Sequence, residues 1–531
     1  MKLKKLPTFL TVVALGMANV VSAQLVIDNA TFFVEAGATV TVQGDLTSNA
    51  NIQGPGKILL KGTSNQNINM GGFSIPNLEM DNASNVTLTG NLKIGTALMF
   101  TNGKILLGDN NLTFSELATT SGQGASKFVE TNGNGQLVKL LTADVAAVEL
   151  PLGTGTNYRP AFVSSTGIYS NASVGVKALA VPDPNRPPMI SDYVATYWPV
   201  TKSGVTGTVT VAGQYVTADI TGTESNLRGY FYNGTDWTSA SETHDAGLNR
   251  VSAPISAATG SVYAMDKFVL TKAKVFLQGA YNSVTGVMSD ALRTPSNLIP
   301  LTDPYRSAPY NFVQVANPVA ESAAVSVFGD QANANDNIVD WVFLELRNNG
   351  TNPGSNVLQT RSALVKRDGS IVDVDGISPV TFNNVVDGNY TVAVRHRNHL
   401  GISADPTTNL LALKEQKSTA PLLDLTAATD AQLFGSANVN FVQSNNVNLL
   451  FSGNANFNGT VNYSSLGNDR LFLLNTILGG ASTGSISGYS SGDLNMNRVA
   501  NYSSLGNDRL FLLNTVLGGS TVVGKSQALP N

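Results

Sequence analysis

Val40-Thr-Val-Gln-Gly-Asp-Leu46 returns as Val86-Thr-Leu-Thr-Gly-Asn-Leu92, and Gly56-Lys-Ile-Leu-Leu60 returns as Gly103-Lys-Ile-Leu-Leu107. The offsets of 46 and 47 residues are long enough for two coils of about 20–25 residues each. Alternation at a period of two sends aliphatic residues to one face, and the Gly-polar pairs turn the chain. A stack of such coils buries its aliphatic side chains and keeps polar ones outside. Residues 24–120 are therefore read as a short parallel β-solenoid. It is a stalk whose outer ladders can also take up polysaccharide.

The composition agrees. At 531 residues the chain exceeds one core, and its length implies three or four domains. Charged residues make up 13%, about half the usual share, while Gly numbers 50. That balance suits a mainly β chain with many turns. The net charge of −4, with no basic run after the N-terminus, argues against nucleic acid as a partner. Cysteine is absent, which removes disulfides, thiolate metal sites and thiol nucleophiles.

Residues 1–23 read as a secretory signal peptide. Lys2, Lys4 and Lys5 precede the apolar core Leu10–Val21, and Val21-Ser22-Ala23 supplies small residues for cleavage before Gln24. No later stretch is long and apolar enough to span a bilayer. The mature chain is expected outside the cell or on its surface.

Beyond the repeats, longer alternating strands run from Tyr193 to Val200 and from Val209 to Val216. Asn233-Gly234, between aromatic stretches, signals a type I′ hairpin. Residues 121–270 are read as a β-sandwich, broken by a Pro-rich loop at 181–188. Its Trp198 and Trp237 are either core residues or a sugar platform. A second sandwich, of immunoglobulin or transthyretin type, is expected over 271–432. There Val339 to Arg347 carries apolar residues on both faces, the mark of a central strand.

The C-terminal part, residues 433–520 with a tail at 521–531, is duplicated. Asn462 to Gly480 (NYSSLGNDRLFLLNTILGG) recurs as Asn501 to Gly519, changed only at Ile477 and Val516. Asn454, Asn456 and Asn458 lead into the first copy, and Asp493, Asn495 and Asn497 into the second. Alternating oxygen side chains before a short apolar helix point to a cation-binding loop–helix unit. Asp469 and Asp508 suit helix N-termini. Leu471, Leu474 and Leu478, with Leu510, Leu513 and Leu517, give each helix an apolar face, and paired glycines end it. The two helices are expected to pack on each other about a pseudo-twofold axis.

Two resemblances bear on these regions. The phrases VFLQGAYN, VDWVFLELR, TRSALVKRDGSIVDVDG and GNYTVAVRHRNHLG, between Lys274 and Leu425, resemble a module of large, secreted, hemagglutinin-like proteins of Gram-negative bacteria. That resemblance implies a non-catalytic adhesion or matrix role. The paired C-terminal unit resembles dockerin, a tandem of two calcium-binding loop–helix repeats that docks on a protein partner. Carried over, the first Ca2+ loop would use Asn454, Asn456, Asn458, the Thr460 carbonyl and Asp469. The second would use Asp493, Asn495, Asn497, the Val499 carbonyl and Asp508. The distal acid comes later than in dockerin, Asn replaces Asp throughout the first loop, and Arg498 stands at the turn-glycine position. Fewer anionic ligands weaken a calcium site.

Other candidate chemistry is sparse. Arg395, His396, Arg397 and His399 cluster at the end of one strand. They read as a buried structural set, with the arginines paired to Asp373 or Asp375, or as part of a zinc site, which needs three convergent ligands. Gly488-Tyr-Ser-Ser-Gly492 matches G-x-S-x-G but lacks the α/β context that gives that pattern its chemistry. The expected function is adhesion or matrix assembly without catalysis. The alternative is an accessory polysaccharide-binding protein of a glycan-degrading system. Partners would be an extracellular protein or polysaccharide.

Overall fold

The alternating stretch Thr39–Val42 forms a strand paired in parallel with Lys57–Leu60, which pairs in turn with Ser74–Asp81. Val40, Ile58, Leu78 and Leu98 lie in register on successive coils, and the last three are at most 1% exposed. Burying one such side chain contributes about 1.5–3 kcal/mol, so each coil is held mainly by its neighbours. A second ladder runs from Leu25–Ile27 through Leu46–Ser48, Gln66–Asn69, Val86–Leu88, Ile105–Leu106 and Val129–Glu130 to Leu152–Thr154. The coils make a β-solenoid of about 6 turns. This computed structural model describes residues 24–240, 243–317, 319–348 and 356–530. The signal-peptide reading of residues 1–23 lies outside them. The described chain is mainly β, and none of its helices is long and apolar enough to cross a membrane.

The coil length matches the sequence reading, but the register does not. Thr39–Val42 and Val86–Leu88, which open the two copies of the first phrase, sit in different sheets. So do Lys57–Leu60 and Ile105–Leu106 of the second phrase. The first phrase is alike in its two copies at the corner, where Asp45 Oδ1 accepts from Asn67 N and its counterpart Asn91 likewise reaches backbone one coil away. Asn51 Oδ1 accepts from Ser74 N, Asn91 Oδ1 from Asn111 N, and Asn111 Oδ1 from Gln136 N.

Glycine is required where one corner passes over another. Gly103 has φ +79°, and a Cβ there would lie 1.9 Å from the Asn82 carbonyl oxygen. Gly108 has φ +54° with open space around it. Gly103→Ala is expected to cost at least about 3 kcal/mol and Gly108→Ala only about 1 kcal/mol, the left-handed penalty alone. Urea denaturation of the two variants checks this difference.

Parallel pairing continues beyond the expected boundary at residue 120. Leu112–Phe114 pairs with Leu137–Leu141, and Val129–Glu130 with Leu152–Thr154. The chain then turns antiparallel: Leu137–Leu141 pairs with Ala161–Val176, and that strand with Tyr193–Gln214. Lys139 ends the buried ladder Ile94–Phe114–Lys139 at 2% exposure. Its ammonium donates to the carbonyls of Ser115, Glu116 and Ala118, and burial lowers its pKa.

The chain forms two compact units. The first comprises the residues up to Asp183 with Val194–Ile220 and Ala240–Ala264. The second comprises Pro184–Tyr193, Thr221–Ser239 and everything from Met265. The stretch 121–270 therefore contributes to both. In the second unit Asn233-Gly234 does sit in a hairpin, between Leu227–Tyr232 and Trp237–Ser239, but not in the expected type I′ turn, since Gly234 takes positive φ and Asn233 does not. The loop has four residues, closed by Asn233 N to Asp236 O. The Asn233 side chain accepts from Thr235 N and Asp236 N.

The second unit is built on a nine-stranded mixed sheet. Its path runs Val380–Asn383, Phe268–Lys274, Ser370–Val372, Val357–Lys366, Ile338–Arg347, Gly388–Arg395, Ile402–Ser403. Ile338–Arg347 is central, antiparallel to both neighbours and buried along its whole length. A strand covered on both faces must be apolar on both, as this one reads.

Candidate functional site

Each copy of the C-terminal repeat folds as a turn followed by a short helix with a widened second turn. Asp469–Leu471 is α-helical and Phe472–Ile477 is π-helical, and Asp508–Leu510 with Phe511–Val516 repeats the arrangement. The helices are capped by the residue before the expected aspartate. Asn468 Oδ1 accepts from Leu471 N, and Asn507 Oδ1 from Leu510 N, both at 2.8 Å. Gly479 and Gly480 take φ of +59° and +84° and end the first helix, as Gly518 and Gly519 end the second.

The π turn changes the buried face. Leu478 N donates to Leu473 O five residues back, and Leu517 N to Leu512 O, each at 3.0 Å. Leu473 and Leu478 are buried, as are Leu512 and Leu517, whereas Leu471 and Leu510 are each 39% exposed. The expected stripe at Leu471, Leu474 and Leu478 assumed 3.6 residues per turn. The wider turn moves the face to Leu473.

The helices do not bury those faces on each other. Leu473 clusters with Ala500 of the second copy, and Leu512 clusters with Val461 of the first. A Cβ on Gly492 would lie 2.9 Å from Leu473 Cδ1, and one on Gly453 would lie 2.8 Å from Leu512 Cδ1. Each pair of equivalent positions, Gly453/Gly492, Val461/Ala500 and Leu473/Leu512, is 39 residues apart. The copies are thus exchanged, each helix seated on the other copy's loop.

The ladder residues wind into closed loops. Asp493 accepts from Asn497 N and Arg498 N, and Asn497 Oδ1 from Val499 N. Asn495 accepts from Asn497 N and donates to Gly506 O. In the first loop Asn454 Oδ1 accepts from Gly459 N, and Asn458 Oδ1 from Thr460 N. Asn456 accepts from Asn458 N and donates to Gly467 O. Gly459 and Arg498 both take positive φ, +75° and +84°. The arginine therefore bears at the sixth position the strain that glycine avoids.

The distal acids close these loops. Asp469 accepts from Ala455 N and Asn462 N, and Asp508 from Leu494 N, Asn495 N and Asn501 N. Both are fully buried. Burial pushes Asp469 up to about 7 and Asp508 up to about 8, and the neighbouring Asp493 charge adds to the shift of Asp508. Asn462 Oδ1 and Asn501 Oδ1 are buried without a hydrogen-bond partner, an equivalent pair that the sequence reading passed over.

These residues fit a hard dication in the second loop better than in the first. Asp493 and Asp508 place two buried carboxylates together, with the free Asn501 oxygen beside the loop, where a counter-charge relieves repulsion. The first loop offers Asp469 alone among neutral amides.

The Arg-His cluster is the seam that seats this module on the sheet. Asp340, on the central strand, accepts from Arg397 Nε at 2.9 Å, His396 Nε2 at 3.1 Å and Tyr489 OH at 2.6 Å. Arg395 pairs with Glu345, not Asp373, which holds Arg361. Asp375 instead caps its own turn at Ile377 N and Ser378 N. The expected arginine partners are thus corrected to Asp340 and Glu345. His399 Nε2 accepts from Gly279 N at 3.1 Å, so its proton is on Nδ1, which lies 2.8 Å from Asn398 Oδ1 and 2.9 Å from His396 Nδ1. His396 must then donate through Nε2 to Asp340. Both rings are neutral links in a directed chain, and burial lowers both pKa values.

Arg397 also donates to Ser490 O, and Asn398 Nδ2 to Asp493 O. The Gly488–Gly492 segment is thus a structural contact, with Tyr489 and Ser490 bound to the sheet. Trp198 and Trp237 are buried, their indole N–H groups on the carbonyls of Arg159 and Asn185, so neither forms a platform. Among the described residues no three His, Asp or Glu side chains gather as a metal cluster. No family model, curated protein or solved structure matches the chain.

Proposed function

We propose that the chain is a secreted or cell-surface, non-catalytic adhesion or matrix protein. The solenoid is the spacer, the antiparallel strands that follow it serve as sandwich-like layers, and the exchanged C-terminal repeat is the docking module. The reading rests on one observation: Leu466 and Leu505, equivalent residues on the two repeat turns, are fully exposed. We read this large apolar side chain, held in water at the same position of both turns, as the point of contact with a partner. The turns are pinned beneath the leucines. Asn468 Nδ2 donates to Ser465 O, and Asn507 Nδ2 to Ser504 O. The resemblances to hemagglutinin-like proteins and to dockerin point the same way.

In this reading calcium sits in the second loop, held by Asp493, Asn495, Asn497, the Val499 carbonyl and Asp508. When bound it supplies the counter-charge those acids need, and so fixes the turn carrying Leu505.

Beads coated with the full chain are expected to adhere to erythrocytes in millimolar calcium. The double variant Leu466→Ser/Leu505→Ser is expected to lose adhesion at least tenfold while its melting temperature stays within about 2 °C of the parent, because exposed positions carry little stability. Lack of adhesion by the parent, or equal adhesion by the variant, overturns the proposal.

A further inference from the structure

The second unit has a cleft of about 460 Å³ bounded by Ser191, Asp192, Asp266, Lys267, Gln359 and Asn384. It draws on different residues from the C-terminal loops. Two acceptor oxygens at its wall have no hydrogen-bond partner. Asp266 is 1% exposed and its Oδ1 is unpartnered; Gln359 is 3% exposed and its Oε1 is unpartnered. The Gln359 amide cannot turn to relieve this. Its Nε2 donates to Ala316 O at 3.0 Å and to Asn383 Oδ1, which fixes Oε1 on the opposite edge of the planar group. A buried acceptor left unmade costs about 1–3 kcal/mol, so two beside one cleft call for a shared occupant.

The charge balance identifies its kind. Asp266 N donates to Asp192 O at 2.8 Å, which sets the two acidic residues side by side. The Asp192 carboxylate is fixed by Thr223 N and Asn226 Nδ2. Burial, with the Asp192 charge added to it, pushes Asp266 up to about 7. The Lys267 charge and the backbone N–H groups of Lys267 and Asn384 offset only part of that shift, and among the described residues no ion pair joins Lys267 to either acid. Two carboxylates and a fixed amide oxygen, with room for water, match a hard cation that takes six to eight oxygen ligands.

We infer that this cleft is a calcium site, with Asp192, Asp266 and Gln359 as its side-chain ligands and water completing the shell. Equilibrium dialysis of the full chain against calcium tests it. Asp266→Asn is expected to lower the bound calcium by one equivalent, and Gln359→Leu to weaken that equivalent at least tenfold. In chelator at pH 8 Asp266→Asn is expected to melt no lower than the parent, because it removes a buried charge that its neighbours offset only in part. Asp493→Asn reports separately on the repeat loop, so the two sites fail independently. The inference is overturned if the parent binds no calcium, or if Asp266→Asn and Gln359→Leu both leave the stoichiometry and affinity unchanged.

Discussion

Calcium is expected to raise the melting temperature of the full chain by about 5–10 °C at pH 8 and by almost nothing at pH 5. Burial raises the folded pKa values of Asp469 and Asp508 to about 7 and about 8. A carboxyl raised above its ordinary value contributes stability that is complete below about 3.8 and is lost as pH rises through 7 to 8. For Asp508 that loss is on the order of 5 kcal/mol in the absence of a cation. Calcium in the proposed second-loop site would offset it by pairing with the charged form, in competition with the proton. The effect must therefore grow with pH.

His396 and His399 carry the opposite sign. Their lowered pKa values leave stability complete above about 6.5 and eroded as pH falls below it. Taking the difference between calcium and chelator at each pH cancels their contribution. In Asp508→Asn the growth between pH 5 and pH 8 should shrink to what the Asp266 cleft supplies. A calcium effect of equal size at both pH values, or none at either, removes calcium from the repeat.

What the sequence made legible follows from the range of the interactions involved. Coil length rests on the spacing of repeated phrases, and the central strand Ile338–Arg347 on an apolar run that serves both faces, patterns that a single chain displays. The solenoid register does not. The first phrase repeats on different faces because a glycine followed by an acceptor side chain, Gly44-Asp45 or Gly90-Asn91, serves a corner on either one. The repeat's caps and glycine stops were readable within a residue, yet its buried face was not. The i to i+5 bond at Leu473, repeated at Leu512, departs from the 3.6-residue period on which the apolar stripe was read. The identity of the two copies did hold a usable signal, since Asn462 and Asn501 lie inside it. The seam is the least legible part. Asp340 and His396 are 56 residues apart, and Tyr489 is another 93 beyond His396 in the chain, so no local pattern joins them.

That seam sets the second large effect. Asp340→Ala is expected to destabilise the second unit by about 3–5 kcal/mol, because it leaves Arg397 buried without its counter-charge. It also strands the Tyr489 hydroxyl and the His396 Nε2 proton. Burial would raise the Asp340 pKa. The Arg397 charge, with hydrogen bonds from His396 and Tyr489, overcomes this and holds it at about 2. A depressed carboxyl contributes stability that is complete above about 3.8 and is lost only as pH falls through 2. The loss in Asp340→Ala should therefore be the same at pH 5 and pH 8, unlike the calcium effect. Because Tyr489 and Ser490 are tied to the sheet through Asp340 and Arg397, amide exchange should rise first in Ser485–Ser487 and Val499–Asn501. The paired replacement Asp340→Leu/Arg397→Met should recover at least half of the loss, since removing both charges leaves nothing unpaired. Urea midpoints of the single and double variants decide the matter. A single-variant loss under about 1 kcal/mol, or no recovery in the pair, would mean the exchanged repeats are seated by their apolar contacts alone.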